Sequence, residues 1–240
     1  MLVKILSKIA TALFVITLPF FFFSASIAGA VNSQWLYTSG FEKQNVGATT
    51  GLDKEQLADV AKGFIRYWNS GEERINIVVV RNGQSIPLFN EREIDHLVDV
   101  KILFQFDYKV VFITGAYALG YVIFLLYRRK RDNLRGLAKS VAWGSSLTLG
   151  LMFALGAVAL LGSNAFENFW YQFHILSFAN DLWELDPTKD YLLMLVPEGF
   201  WYDAVRDIVL ATAGLAIVCG GAAAAHLVYH GRNSKMKTQN

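Results

Sequence analysis

Two histidines lie among charged residues at helical spacing, in two widely separated parts of the chain. His96 stands in the stretch NEREIDHLVDVK, with charged neighbours three or four positions away: Arg92, Glu93 and Asp99. His174 has an acid seven residues away on each side: Glu167 and Asp181. Imidazole titrates near neutral pH, so two histidines without an activated serine or cysteine suit general acid–base catalysis.

Other interpretations of these histidines stay open. A histidine on an exposed helix is commonly just a polar residue, and one among aromatic residues is commonly an interface anchor. Histidines and carboxylates also bind metals, but the chain has no HExxH and two histidines on separate segments give no diagnostic spacing. We therefore expect no metal and no cofactor. His226 and His230 are expected to be solvated imidazoles near a helix C-terminus.

Motifs for other chemistries are missing. The sequence contains no GxSxG, no Gly-rich phosphate loop and no serine-triad signature. Its one cysteine, Cys219, permits no intramolecular disulfide and no cysteine metal cluster. Cys219 also lies in an apolar run, and apolar surroundings disfavour the thiolate that a nucleophile needs.

The composition predicts a membrane protein. With 54% hydrophobic and 18% charged residues, the chain is too apolar for an ordinary soluble domain. We predict a single α-helical membrane domain over 1–240, in which four runs can each cross a hydrocarbon core. The four predicted transmembrane helices are approximately 9–31, 108–127, 141–162 and 206–229. The first mimics a signal peptide, but its apolar run is longer than usual, so we expect a retained helix.

The distribution of charge predicts the orientation. Residues 1–8, 128–140 and 230–240 together hold 11 Lys/Arg and one acid. Residues 32–107 carry 8 basic and 11 acidic side chains, and residues 163–203 carry one and seven. Because basic residues concentrate in cytoplasmic segments, both termini are predicted to be cytoplasmic and both long loops extracytoplasmic.

The first long loop is predicted to form an α+β cap. Asp53 is a candidate N-cap for an amphipathic helix, whose apolar positions follow helical spacing: Leu57, Val60, Ala61, Phe64, Ile65 and Trp68. The stretch RINIVVVRNGQSIPLFN then indicates a β-hairpin with a turn at Asn82–Gly83 and a return strand limited by Pro87. Residues 53–89 carry no catalytic motif, so a partner-binding role is open.

The stretch around His96 is predicted to begin a further helix. Asn90 and Glu93 have the spacing of an N-terminal cap. On such a helix one face would be apolar: Ile94, Leu97, Val98 and Ile102. The opposite face would hold Arg92, His96, Asp99 and Leu103.

The second long loop is predicted to be a helical segment lying in the membrane interface. It has eleven aromatic residues in about forty, a density that suits rings buried at headgroup level. One predicted stripe is apolar: Phe166, Phe169, Trp170 and Phe173. The neighbouring polar stripe would contain Glu167, His174 and Asp181.

Two long motifs, FNEREIDHLVDVK and FWYQFHILSFANDLW followed by LDP and LVPEGFW, resemble the lipoprotein intramolecular transacylase (Lit) family of bacterial membrane proteins. The resemblance covers essentially the whole chain. It implies an enzyme of the bacterial cell membrane that acts on lipoproteins whose N-terminal cysteine bears a diacylglyceryl group. It further implies transfer of the sn-2 acyl chain to the cysteine α-amino group, which gives the lyso-form.

The resemblance also implies that His96 and His174 are the essential pair, and the orientation predicted from charge places both of them on the extracytoplasmic side. As a hypothesis, His174 deprotonates the amine, and His96, kept partly protonated by Glu93 or Asp99, stabilises the oxyanion or protonates the leaving group. The exchanged roles stay open. Arg92, Asn180 and Asp181 are expected to support the histidines or to stabilise the oxyanion. Trp170, Phe173 and Trp183 are expected to hold the substrate.

The expected partners are the diacylglyceryl lipoprotein and membrane lipids, with no nucleic acid and a monomeric enzyme. Two other classes of function stay open: a non-enzymatic sensor or scaffold that binds through the outer loops, and a metal-dependent membrane hydrolase. The discriminating observation is whether His96 and His174 converge. A separation above roughly 10 Å without a shared cavity would contradict a two-histidine mechanism.

Overall fold

The structure of the protein is a computed structural model, which describes residues 2–81, 83–127, 131–159 and 165–236. Four long helices dominate these residues: α1 (Leu2–Val31), α5 (Glu91–Tyr127), α6 (Arg131–Ala159) and α9 (Glu198–Met236). Between α1 and α5 lie α2 (Gln34–Lys43), α3 (Val46–Thr50), α4 (Lys54–Asn69), β1 (Val78–Arg81) and β2 (Gln84–Pro87). Between α6 and α9 lie α7 (Ala165–Ser177) and α8 (Tyr191–Leu195).

Three described helices are long and apolar enough to cross a membrane: Lys4–Val31, Glu91–Tyr127 and Glu198–His230. In α5 the charged residues are concentrated before Val110, so only the later part of that helix suits a hydrocarbon core. The predicted third span, 141–162, falls on α6, and its last residues, 160–162, lie outside the described residues. The membrane crossing predicted for α6 therefore stays a prediction.

The chain divides into two compact units. The first, called here the apolar unit, comprises residues 1–26, 108–158 and 208–240. Its core contains Phe14, Leu18, Phe22 and Ala216. Phe14 stacks on Tyr121 with ring centroids 4.5 Å apart. Glycine allows close helix approach here, because a Cβ on Gly220 would lie 2.8 Å from Ser145 Cβ.

The second unit, called here the cap unit, comprises residues 27–107 and 159–207. The predicted amphipathic helix is confirmed as α4, because Asp53 and Gln56 form a reciprocal capping box and one face is buried. Of the predicted apolar positions on α4, Ile65 alone is only half-buried. Aromatic rings fill the interior, and Trp68 Nε1 donates to Tyr37 Oη at 3.0 Å.

The predicted hairpin is also confirmed. Strands β1 and β2 pair antiparallel, with Arg81 opposite Gln84 and Val78 opposite Pro87. This register leaves two connecting residues, as the Asn-Gly sequence predicts. Gly83 has φ of +75°, a left-handed value that glycine adopts without a Cβ penalty. Asn82 itself lies outside the described residues.

Two details of the predicted helices are wrong. The buried face of α5 contains Glu93, His96, Leu97, Lys101 and Phe104, whereas Ile102 of the predicted apolar face is 60% exposed. The reason is that this face packs within the cap unit, where polar groups find long-range partners. The polar stripe predicted through Asp181 is also broken, because α7 ends at Ser177.

Candidate active site

The first turn of α5 fixes the position of His96. Asn90 Oδ1 accepts the Glu93 amide at 3.1 Å, and Glu93 Oε2 accepts the Asn90 amide at 2.7 Å, which completes the predicted cap. His96 follows one turn later and is buried, with 6% of its surface exposed. Its Nδ1 atom is buried and has no hydrogen-bond partner among the residues that the structure describes. Nδ1 of His96 is therefore not engaged by any residue that the structure describes.

The second histidine is oriented by its own helix. His174 Nδ1 lies 2.8 Å from the main-chain carbonyl oxygen of Trp170, one turn earlier in α7. A carbonyl only accepts, so the neutral ring carries its proton on Nδ1 and presents a lone pair on Nε2. The Trp170 ring meets the imidazole edge-on, with centroids 4.8 Å apart. Nε2 is thus the nitrogen of His174 that can take a proton.

The two histidines converge. Their ring centroids lie 6.1 Å apart with an interplanar angle of 30°. Phe178 touches both rings, with centroids 5.1 Å from His96 and 5.6 Å from His174. Both imidazoles line one cavity of about 100 Å³, so the separation above 10 Å that would contradict a two-histidine mechanism is not found.

The rest of the cavity wall is almost entirely apolar. All three predicted substrate-binding residues line it: Trp170, Phe173 and Trp183. The structure adds residues that the sequence patterns do not single out, including Phe178, Leu185, Leu192, Val196 and Trp201. Trp201 stacks on Trp170 with centroids 5.0 Å apart. The repeated aromatic residues of the second loop were the sequence feature that pointed to this wall, although they did not single out Phe178 or Trp201.

Burial favours the neutral form of both imidazoles. It lowers the pKa of His96 to about 4; the neighbouring His174 lowers it further, and the Asp99 carboxylate opposes the shift. Burial also lowers the pKa of His174, against the raising effect of the Trp170 carbonyl. The prediction of a partly protonated His96 is therefore wrong, because desolvation outweighs the one acid that favours the imidazolium.

Glu93 has a different role from the one predicted. Its side chain is 1% exposed, and its Oε1 accepts the main-chain amide of Leu192 at 2.6 Å. With Oε2 on the Asn90 amide, both oxygens are used by main-chain donors. Burial raises the pKa of the Glu93 carboxyl. Glu93 thus joins the start of α5 to α8, which supplies Leu192 to the cavity wall.

The other predicted supporting groups form a clamp between α5 and the segment after α7. Asn180 Nδ2 donates to Asp99 Oδ2 at 2.8 Å. Arg92 donates to the main-chain carbonyl of Asp181, and the Arg92 and Asp181 side chains lie 3.8 Å apart. None of these four residues lines the cavity described above. They are therefore placed to hold residues 180–183, and the geometry gives no support for Asn180 or Arg92 as an oxyanion donor.

The donor atoms near the cavity do not form a metal site of ordinary composition. Within the described ranges, no group of three or more His, Cys, Asp or Glu side chains is close enough to hold an ion. His174 Nδ1 is already engaged by a carbonyl. The two imidazoles at the cavity are fewer than the three protein ligands of typical catalytic zinc sites.

Comparison with known proteins identifies the family. The family model for the lipoprotein intramolecular transacylase Lit matches residues 12–201. The chain belongs to the Lit family. Lit from Bacillus cereus, a membrane-integral protein solved in meso, has a similar fold: the TM-score is 0.75 and the identity 22%, with 95% of this chain and 99% of that chain covered.

Two further proteins are similar to this Lit family member. A variant of the Bacillus cereus protein with one histidine replaced by arginine gives a TM-score of 0.74 at 23% identity, covering 96% of each chain. An uncharacterised protein of Aquifex aeolicus (strain VF5) is 24% identical over 205 residues, which cover 85% of this chain and 88% of that protein. The likeness thus extends over the cap unit and the apolar unit alike.

Proposed function

We propose that this Lit family member moves the sn-2 acyl chain of a diacylglyceryl lipoprotein onto the α-amino group of the lipoprotein's N-terminal cysteine. The observation that carries the proposal is the convergence of His96 and His174, with centroids 6.1 Å apart, at one apolar cavity. Family membership supplies the substrate class, and the paired imidazoles supply the acid–base chemistry that this transfer needs.

The proposed reaction balances without a cofactor. The cysteine ammonium releases one proton to solvent before it binds, and His174 Nε2, whose lone pair is set by the Trp170 carbonyl, takes the second proton from the nitrogen as it attacks. The free amine attacks the sn-2 ester carbon, the new C–N bond forms, and the C–O bond to the glyceryl oxygen breaks. The proton then passes from the imidazolium to that oxygen. Donor and acceptor belong to one molecule, so the substrate itself supplies most of the proximity.

His96 is proposed to act as a neutral hydrogen-bond donor to the tetrahedral oxyanion. A neutral imidazole has one N–H, and in a dry site a fixed N–H stabilises developing negative charge more strongly than it would in water. Because burial lowers the pKa of His96 to about 4, its imidazolium form is scarcely populated at neutral pH. In the exchanged assignment His96 would be the base, but a base with so low a pKa binds the ammonium proton weakly.

Direct transfer without an acyl-enzyme suits the composition of the cavity wall. Among the described residues that line it, none is a serine, threonine or cysteine. Two imidazoles among aromatic and aliphatic side chains can move protons, whereas a covalent mechanism would ordinarily use an activated hydroxyl or thiol. The substrate amine is therefore proposed as the only nucleophile.

The proposed setting is the bacterial cell membrane. Four transmembrane helices would place both termini in the cytoplasm and the cap unit, with its histidines, on the extracytoplasmic side. The enzyme is proposed to be a monomer. The basic residues of the segments between and after the helices support this orientation, and cysteine-labelling of single-cysteine variants in the loops 32–107 and 163–203 tests it.

The decisive experiment follows the lipoprotein N-terminus in cells that lack the lyso-form. Transfer leaves the intact mass unchanged, so fragmentation must be used to show whether an acyl chain has moved to nitrogen. Wild type should produce the N-acylated lyso-form, and His96→Ala and His174→Ala should each lower it by about 10²–10⁴-fold. His226→Ala, a histidine outside the site, is the matched control and should behave as wild type.

The outcomes also separate the alternatives. A wild type that leaves every diacyl lipoprotein unchanged would contradict the proposed activity and favour a sensor or scaffold. Loss of one acyl chain, abolished by a chelator, would instead favour a metal-dependent hydrolase. Full activity in either site-histidine variant would contradict the two-histidine mechanism while leaving transacylase activity intact.

A further inference from the structure

Trp183 covers one side of His174. The two ring centroids lie 5.0 Å apart with an interplanar angle of 38°, which is a tilted face contact. Trp183 belongs to the irregular segment after α7, and its ring also lines the cavity. It also meets Tyr171 edge-on, with ring centroids 5.6 Å apart. An indole in this position occupies space from which water could otherwise approach the imidazole.

Polar contacts hold this indole in place. Trp183 Nε1 donates to the main-chain carbonyl of Asn180 at 2.9 Å. The Asn180 side chain accepts the Leu182 amide at 3.1 Å and donates to Asp99 at 2.8 Å. Asp99 lies on α5, one turn after His96. The segment that carries Trp183 is therefore bonded to the helix of His96, while the Trp183 ring covers His174.

Water is the chemical competitor of the substrate amine. In the proposed transfer, the amine nitrogen bonds to the acyl carbon and the glyceryl oxygen leaves with a proton. If water replaces the amine, its oxygen bonds to the same carbon, the same C–O bond breaks, and a free fatty acid is released. The same pair of histidines would catalyse both reactions, because a base that deprotonates an ammonium can also deprotonate water.

We propose that Trp183 is a specificity-determining residue that excludes water from His174 and so directs the site to acyl transfer rather than ester hydrolysis. Asn180 and Asp99 are positioning residues that keep the indole against the imidazole. This inference rests on the proposed transacylase activity. It explains why exposed polar residues outside the cavity form a bonded clamp at this point of the chain.

The test measures both products of one reaction. The full chain, purified in detergent, is incubated with a synthetic dipalmitoylglyceryl-cysteinyl peptide. Transfer keeps the peptide mass and moves an acyl chain to nitrogen, whereas hydrolysis lowers the mass by one acyl group and releases palmitate. Trp183→Ala should raise the ratio of hydrolysis to transfer by about tenfold or more, because water gains access to the base.

Matched variants separate exclusion of water from general damage. Trp183→Phe keeps an aromatic ring without the indole N–H and should give a smaller rise in the ratio than Trp183→Ala. Asn180→Ala should also raise it by freeing the indole, and this variant decides the matter if Trp183→Ala does not fold. Trp35→Ala removes a tryptophan that is 69% exposed on α2, and it should leave the ratio at the wild-type value.

Each outcome has one meaning. A rise in hydrolysis in Trp183→Ala and Asn180→Ala supports the inference. An equal fall of both products, with the ratio unchanged, overturns it and leaves the transacylase proposal standing. A wild type that yields neither the N-acylated peptide nor palmitate contradicts the proposed function itself.

Discussion

The buried neutral state of His96 predicts that the folded protein loses stability in acid. The perturbation is a fall in pH from 7.5 to 4.5, compared between wild type and His96→Gln. The ring has an ordinary pKa of 6.5 when unfolded and about 4 when folded. Above pH 6.5 both states are neutral and the histidine adds no pH dependence. Between pH 6.5 and about 4 only the unfolded chain takes up the proton, so the free energy of unfolding decreases as the pH is lowered.

The magnitude follows from those two pKa values. One pH unit of difference corresponds to about 1.4 kcal/mol, so the penalty at pH 4.5 is about 2.5 kcal/mol. For a chain of this length, that is a fall in Tm of about 5–10 °C. The assay is thermal unfolding in detergent at the two pH values, followed by intrinsic tryptophan fluorescence. His96→Gln cannot be protonated, so its fall in Tm should be smaller than that of wild type by this amount.

A control and a refuting result complete the design. Gln172→Ala changes an exposed position of α7 and should keep the wild-type dependence on pH. If wild type and His96→Gln lose the same Tm between pH 7.5 and 4.5, His96 is not a buried neutral imidazole. The assignment of His96 as an uncharged donor would then fail as well.

Four further outcomes are expected. Glu93→Gln should destabilise by about 1–3 kcal/mol in the same unfolding assay, because its amide nitrogen cannot accept a main-chain N–H. Lys101→Met should lose the bond to the Glu72 carbonyl and speed proteolysis of the adjoining loop at residues 70–75, whereas unchanged cleavage would contradict that anchor. Gly144→Ala should cost about 1–3 kcal/mol, since its Cβ would lie 2.6 Å from Leu18 Cδ1, while Gly150→Ala, with open space around it, should be neutral or stabilising. Transfer activity should be unaffected by chelators. Activity that is lost in chelator and restored by added zinc would refute the metal-free mechanism.

Local chemistry made parts of the cap unit predictable from sequence. The capping box of α4 and the two-residue turn of the hairpin depend on residues within four positions of one another, so their spacing alone indicates the structure. The start of α5 at Asn90 is predictable for the same reason. Helices α2, α3 and α8 were not predicted, because they are short and carry no strong apolar period.

Long-range pairing explains what the patterns missed. A face that contains Glu93 and Lys101 looks solvent-exposed by composition, yet Glu93 is buried because it binds the amide of Leu192 far along the chain. The convergence of His96 and His174 likewise joins residues of two loops, and only the resemblance to the Lit family indicated it. The protonation state of His96 depends on its burial, which no local spacing reveals.

The hydrogen bond that orients His174 cannot be removed by replacing the side chain of the residue that accepts it. In many enzymes a carboxylate side chain orients the catalytic histidine, and a single codon change can delete that carboxylate. Here the acceptor is a main-chain carbonyl one helical turn earlier. Replacing the Trp170 side chain leaves that oxygen in place. Random mutagenesis should therefore yield loss-of-function substitutions at His174 itself. Substitutions at position 170 should leave the tautomer of the His174 ring unchanged as long as α7 stays helical.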